Sequence, residues 1–173
     1  MTNPSYFELF ELEPAAVIDT KALRSSYRTL QTQYHPDKFA SQDETVRLAA
    51  VQKAALINDA YTTLTDPVKR ARYLLELLSQ QTFVASNLAS EPAFLMEQIE
   101  AREAIESFVD DGGSYDELMS LMEEYQSQLD HYLNVFSKAI DHKSWDEANI
   151  VIAKMQLFSK LLQEASDLEE QVD

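Results

Sequence analysis

The stretch "TLQTQYHPDKFASQDE", residues 29–44, decides how the chain is read. It holds the end of one helical pattern, the tripeptide His35-Pro36-Asp37, and the opening of another helical pattern. Upstream, Leu23, Tyr27, Leu30 and Tyr34 stand at i, i+4, i+7 and i+11, one buried stripe on a helix that Asp19 is placed to cap. Proline pushes the residue before it out of the helical region, so the helix stops at His35. Downstream, Ser41-Gln42-Asp43-Glu44 has the S-x-x-E form of a capping box. Val46, Ala50, Ile57, Tyr61 and Leu64 predict the inward face of the helix that follows.

An imidazole, a rigid ring and a carboxylate side by side admit three readings: catalysis, metal binding or a contact surface. A catalytic His–Asp pair needs a nucleophile or a pocket, and no serine or lysine constellation accompanies this one. A metal site needs three or four ligands, and the other two histidines, His131 and His142, fall far away on helical patterns where surface positions suffice to explain them. A metal-dependent hydrolase built on His35 and Asp37 therefore lacks ligands. By itself the tripeptide is equally a plain helix stop.

Composition narrows the class. With 173 residues, 45% hydrophobic and 10% aromatic, the chain has the material for one good-sized domain or two small ones. Two glycines and five prolines are few for a β-rich chain, so the expectation is all-α. Absence of cysteine excludes disulfides and thiolate metal sites of the chain's own. No apolar run has transmembrane length, and the N-terminus resembles neither signal nor transit peptide, which predicts a cytoplasmic location. The P-loop pattern G-x-x-x-x-G-K-[ST] does not occur. Residues 1–75 carry 9 Lys/Arg against 9 Asp/Glu; residues 76–173 carry 5 against 21 and so hold all of the net −16. That asymmetry predicts two modules and disfavours phosphate-backbone binding.

The first module, residues 1–76, begins with the short apolar-rich helix "SYFELFEL" and closes with "VKRARYLLELL", opened by Asp66 as cap and Pro67 at the first helical position. Residues 77–91 read as a linker anchored by Phe83, Val84 and Leu88. Residues 92–173 read as three longer helices, the first ending at Asp110-Asp111-Gly112-Gly113, with capping boxes at Ser114/Glu117 and Ser144/Glu147 starting the other two. Leu118, Met122, Tyr125, Leu129, Tyr132, Phe136 and Ala139 step by fours and threes. Ala148, Val151, Met155, Phe158, Leu162 and Ala165 do the same. Short connections favour a three-helix bundle, with an intermolecular coiled coil as the alternative. Net charge of −16 disfavours close self-association.

Taken together, Tyr27, Leu30, Tyr34, His35-Pro36-Asp37-Lys38, Ile57-Asn58, Ala60-Tyr61, Leu64, Asp66-Pro67 and Arg70 resemble the J-domain family over residues 4 to about 76. The resemblance implies an antiparallel hairpin presenting His-Pro-Asp at its tip, and a role in stimulating ATP hydrolysis by an HscA/DnaK-type chaperone. The tripeptide and Lys38 would then dock rather than react: proline fixes the turn, the carboxylate accepts from a partner's arginine, and the imidazole braces the loop or touches the partner. Lys21, Arg24 and Arg28 lie on the helix side turned away from the stripe. They are either a strip for an acidic partner or an ordinary solvated face.

No Gly/Phe-rich or Cys-rich segment follows, and the segment "AFLMEQIEAREAIE", "LAAVQKAALINDAYTTL" and the late "SWDEA" extend the resemblance along the whole chain to the HscB family, co-chaperones of iron–sulfur cluster assembly. Absence of an extra Cys-rich N-terminal segment resembles the bacterial form. In helix 92–109, Phe94, Ala101, Ile105, Phe108 and Val109 share one face and suffice for packing, while Leu95, Met96 and Ile99 lie off it beside Glu100 and Glu103. Those apolar residues either meet a partner or pack elsewhere in the chain. The resemblance implies that this region, extended by Leu157, receives the cluster scaffold IscU. It implies no catalytic residue, cofactor or metal of the chain's own, and leaves open a J-domain adaptor that delivers another client to a general chaperone.

Overall fold

The computed structural model describes residues 4–84, 88 and 91–172. Seven helices occur among them: α1 (Tyr6–Leu9), α2 (Thr20–Gln33), α3 (Glu44–Thr65), α4 (Pro67–Ser79), α5 (Pro92–Asp111), α6 (Tyr115–Asp141) and α7 (Trp145–Val172). A 3₁₀ turn, Pro36–Phe39, lies between α2 and α3. No strand occurs among the described residues, and no helix is long and apolar enough to cross a membrane. The chain divides into two compact units between Leu74 and Leu75.

Local chemistry starts most of these helices where the residue pattern placed them. Ser5 and Glu8 form a capping box on α1. Asp19 accepts from the amides of Lys21 and Ala22 at 2.9 and 3.0 Å. Asp66 accepts from Val68 and Lys69 at 2.8 and 2.9 Å, with Pro67 at the first helical position. The box expected at Ser41 does not form. The turn after Pro36 runs on, the amide of Gln42 donating to Phe39 O at 3.0 Å, so Ser41 is used inside it. The N-cap position falls two residues later, on Asp43, which makes no side-chain cap, and the helix begins at Glu44.

In the first unit α2 and α3 pack as a hairpin around Leu23, Ile57, Ala60 and Leu64, closed by Phe7 and Phe10 and by Ala71 and Leu74, all buried. Tyr27 stacks on Tyr61, and Tyr6 stacks on Tyr73 with centroids 4.4 Å apart. The Tyr6 hydroxyl donates to Asp59 at 2.5 Å, and this bond, with burial, pushes its pKa up to about 12. Arg70 is buried for a structural reason. Its guanidinium donates to Ala16 O at 2.8 Å and Leu64 O at 2.5 Å, satisfying carbonyls on two segments at once. Burial lowers its pKa, with Asp66 opposing. Val46, expected inside, is 43% exposed, in an opening stretch of α3 whose residues 44–49 are all exposed.

In the second unit α6 and α7 form a long antiparallel hairpin, tied near its open end by Tyr115 Oη donating to Glu169 at 3.0 Å. Both seams close on one another within the chain: Leu118, Tyr125, Leu129, Phe136 and Ala139 are buried against Ala148, Val151, Met155, Phe158 and Ala165. Ile152 and Leu161, outside the expected seam, are fully buried, since α7 must face α5 as well as α6. The start of this unit is held by the backbone. Asn149 donates to Val84 O at 2.7 Å while the Val84 side chain, expected as an anchor, is 68% exposed. Phe83 and Leu88 are half-buried.

Helix α5 ends as its glycines dictate. Gly112 takes the left-handed conformation (φ +65°), and Gly113 N donates to Phe108 O at 2.9 Å. Cross-links set its direction: Tyr125 Oη donates to Ala101 O at 2.7 Å, Lys154 pairs with Glu91 at 2.8 Å and Arg102 with Glu164 at 2.7 Å. α5 therefore runs antiparallel to α6 and parallel to α7.

Candidate functional site

His35, Pro36 and Asp37 all lie exposed between α2 and α3. Tyr34 caps the C-terminus of α2, its amide donating to Leu30 O at 2.9 Å, and Lys53 of α3 lies 5.9 Å from its ring centroid. Pro36 then opens the 3₁₀ turn, and Lys38 N donates to His35 O at 3.0 Å. The amide of Asp37 donates to His35 Nδ1 at 3.3 Å, so the imidazole acts as the cap of the turn. Of the two roles open to His35, bracing is the one the geometry displays. The Asp37 carboxylate, 90% exposed and 3.6 Å from the imidazole, projects into solvent. Among the described residues no third ligand converges on this pair.

Lys21, Arg24 and Arg28 are exposed along α2, and Lys38 continues the positive charge past the helix end. On the opposite side Leu23 is buried and Tyr27 and Leu30 are half-buried. The tip thus offers one carboxylate and one imidazole beside Lys38, with three further cations spread back along α2, chemistry suited to reading an acidic, arginine-bearing surface.

The second candidate surface lies on α5. Met96 is 57% and Ile99 49% exposed, Glu100 and Glu103 are exposed beside them, and Leu95 is half-buried at the edge. Phe94 and Ile105 are buried below, with Phe94 edge-on to Tyr132 at 5.9 Å. Lys154 lies 5.5 Å from the Phe94 centroid and 5.9 Å from that of Tyr132. Tyr132 in turn donates to Glu97 at 2.5 Å, and burial together with that bond raises its pKa well above the ordinary value. This half-buried polar cluster ties α5 to α6 and α7, so the outward side chains sit on a held backbone.

One expectation about this region is corrected, and one candidate residue lies deeper than the rest. Leu157 is only 9% exposed. The Glu91–Lys154 and Arg102–Glu164 pairs set it on α7 at the level of Leu95 on the neighbouring α5. Val109, expected in the packing face, is 54% exposed, because α5 and α7 leave an open groove at that level. Residue pattern also missed Leu48 and Val51, 57% and 46% exposed on α3. The only available signal was that both fall out of step with the buried stripe.

Two family models match the chain. One, described as the DnaJ domain, covers residues 5–73; the other, the HSCB C-terminal oligomerisation domain, covers residues 90–166. A Vibrio cholerae protein named Co-chaperone protein HscB homolog is 38% identical over 168 residues, spanning 97% of this chain and 98% of that protein. The solved structure of chaperone HscB from Vibrio cholerae matches with a TM-score of 0.82 at 38% identity, covering 98% of this chain and 100% of that one. Human co-chaperone protein HscB matches with a TM-score of 0.81 at 25% identity, covering 96% of this chain and 82% of that one.

Proposed function

We propose that this chain, which belongs to the HscB family of J-domain co-chaperones, acts in iron–sulfur cluster assembly as an adaptor with two binding surfaces. The tip of the first unit engages an HscA/DnaK-type chaperone and stimulates its ATP hydrolysis. His35 and Pro36 hold the turn, Asp37 accepts from a chaperone arginine, and Lys38 at the tip with Arg28, Arg24 and Lys21 along α2 meets acidic side chains of the same partner. The second surface, Leu95, Met96, Ile99, Glu100 and Glu103, holds the cluster scaffold IscU for delivery to the chaperone. The chemistry then takes place on the chaperone and the scaffold, in the cytoplasm.

One observation carries this reading: a carboxylate with 90% exposure is held at a braced hairpin tip, while a separate rigid helix exposes Met96 and Ile99 between carboxylates. An exposed carboxylate of that kind binds through charge-assisted bonds, and exposed apolar side chains on a fixed backbone bind by burial. The deciding experiment is titration of the HscA ATPase with this chain, with and without IscU. Stimulation by the chain alone, raised further by scaffold, is the expected outcome. A chain that stimulates equally with and without scaffold would remove the second surface from the function.

A further inference from the structure

Beyond the Met96/Ile99 surface, α5 continues into a groove against α7 with a volume of about 560 Å³. Ile105 and the half-buried Leu168 form its floor, and Val109, 54% exposed, stands at its edge. Its lining carries four carboxylates, Glu106, Asp110, Glu164 and Asp167, against one guanidinium, Arg102. That guanidinium is bonded to Glu164 at 2.7 Å, and Glu106 and Asp110 are exposed. An apolar floor below a rim of net negative charge selects a segment that is both apolar and cationic.

The groove is continuous with the surface already assigned. Ile99, Glu103, Glu106 and Asp110 follow one another at three- and four-residue steps on the exposed side of α5. At about 1.5 Å per residue, Met96 and Val109 are about 20 Å apart along one helix, a length that one partner spans without bending. We propose that this groove is a second contact for the scaffold, taking a basic amphipathic segment whose apolar side chains reach Ile105 and Val109 while Lys or Arg side chains meet Glu106 and Asp110. The proposal rests on the scaffold reading of α5. The Met96/Ile99 surface supplies the apolar anchor, and the groove supplies the charge-dependent part of the affinity and its orientation.

The test compares three proteins in calorimetric titrations with IscU at low and high salt: the unaltered chain, Glu106→Gln with Asp110→Asn, and Met96→Ala with Ile99→Ala. Neutralising the groove should weaken binding at low salt by roughly tenfold and flatten its salt dependence, because screening acts on the charges removed. Altering the apolar surface should weaken binding while leaving the salt dependence as it was. A further variant, Glu106→Lys with Asp110→Lys, should weaken binding more than neutralisation does; since both positions are exposed, its helical circular dichroism should match that of the unaltered chain. If the unaltered chain binds IscU and the groove variants bind within twofold with the same salt dependence, the groove proposal is overturned and the scaffold reading stands. If the unaltered chain does not bind IscU, both fall together.

Discussion

The ring of Tyr27 on α2 stacks on the ring of Tyr61 on α3, centroids 3.9 Å apart and planes 14° from parallel. The Tyr27 hydroxyl donates to Asn58 Oδ1 at 3.0 Å and accepts from Gln31 at 2.9 Å. This contact joins the two helices that carry the His-Pro-Asp turn. Tyr61→Ala removes the stack and leaves a gap beside Phe10, which sits edge-on to Tyr61 at 6.5 Å. Loss of about 2 kcal/mol of stability should follow in urea unfolding monitored by far-UV circular dichroism. A change below about 0.5 kcal/mol would mean that other contacts hold the hairpin.

Asp37 can be altered without cost to the fold, because its side chain is 90% exposed. Asp37→Asn keeps the shape and removes the charge. The expected outcome is an unchanged thermal midpoint together with loss of chaperone ATPase stimulation. A charge-assisted bond worth about 2 kcal/mol corresponds to a roughly thirtyfold loss in apparent affinity. Scaffold binding should be untouched; a loss there would contradict the separation of the two surfaces.

On α5, changing Leu95, Met96 and Ile99 together to Ala should weaken IscU binding by about 1–3 kcal/mol, as truncation of a small anchor cluster does. Met96 and Ile99 are 57% and 49% exposed, so these two positions should alter stability by less than about 0.5 kcal/mol. Titration calorimetry and urea unfolding on the same preparations separate the two effects. Unchanged affinity would move the scaffold contact away from this face.

The paired glycines after α5 have different reasons to be glycine. Gly112 has φ +65° and open space around it, so Gly112→Ala should cost about 1 kcal/mol through backbone strain alone. A Cβ at Gly113 would lie 2.2 Å from Phe108 Cδ2. Gly113→Ala must displace that ring, at about 1–3 kcal/mol. Urea unfolding should rank Gly113→Ala as the more damaging change, and Phe108→Ala should relieve part of its cost.

The cap of α6 makes a pH prediction. Glu117 accepts from Ser114 N at 2.6 Å and from Ser114 Oγ at 2.9 Å, and these bonds, the backbone one foremost, hold its pKa below the ordinary 4.5. An acid whose pKa is lower folded than unfolded stabilises while ionised, fully above 4.5 and progressively less as pH falls through the folded value. The stability difference between the unaltered chain and Glu117→Gln should be constant at neutral pH and vanish in stronger acid. Urea unfolding across that range checks it; a difference that grows on acidification would refute the cap as its source.

The local pattern of residues determined where most helices start and stop, because caps, prolines and glycines act over three or four residues. Asp19, Asp66-Pro67, Ser114/Glu117 and Gly112 all behave as their local chemistry requires. The exposed His-Pro-Asp turn was legible because proline stops a helix locally, and the outward Met96 and Ile99 because a period along one helix tells which residues are left over. What a period cannot tell is how many neighbours a helix has. Leu161 and Leu157 are drawn inward because α7 packs against two helices, Val109 is left outside because α5 and α7 leave a groove there, and Ser41 loses its cap because the turn before it runs longer. Each depends on atoms far away in sequence, or on the exact path of a turn, so only the tertiary structure decided them.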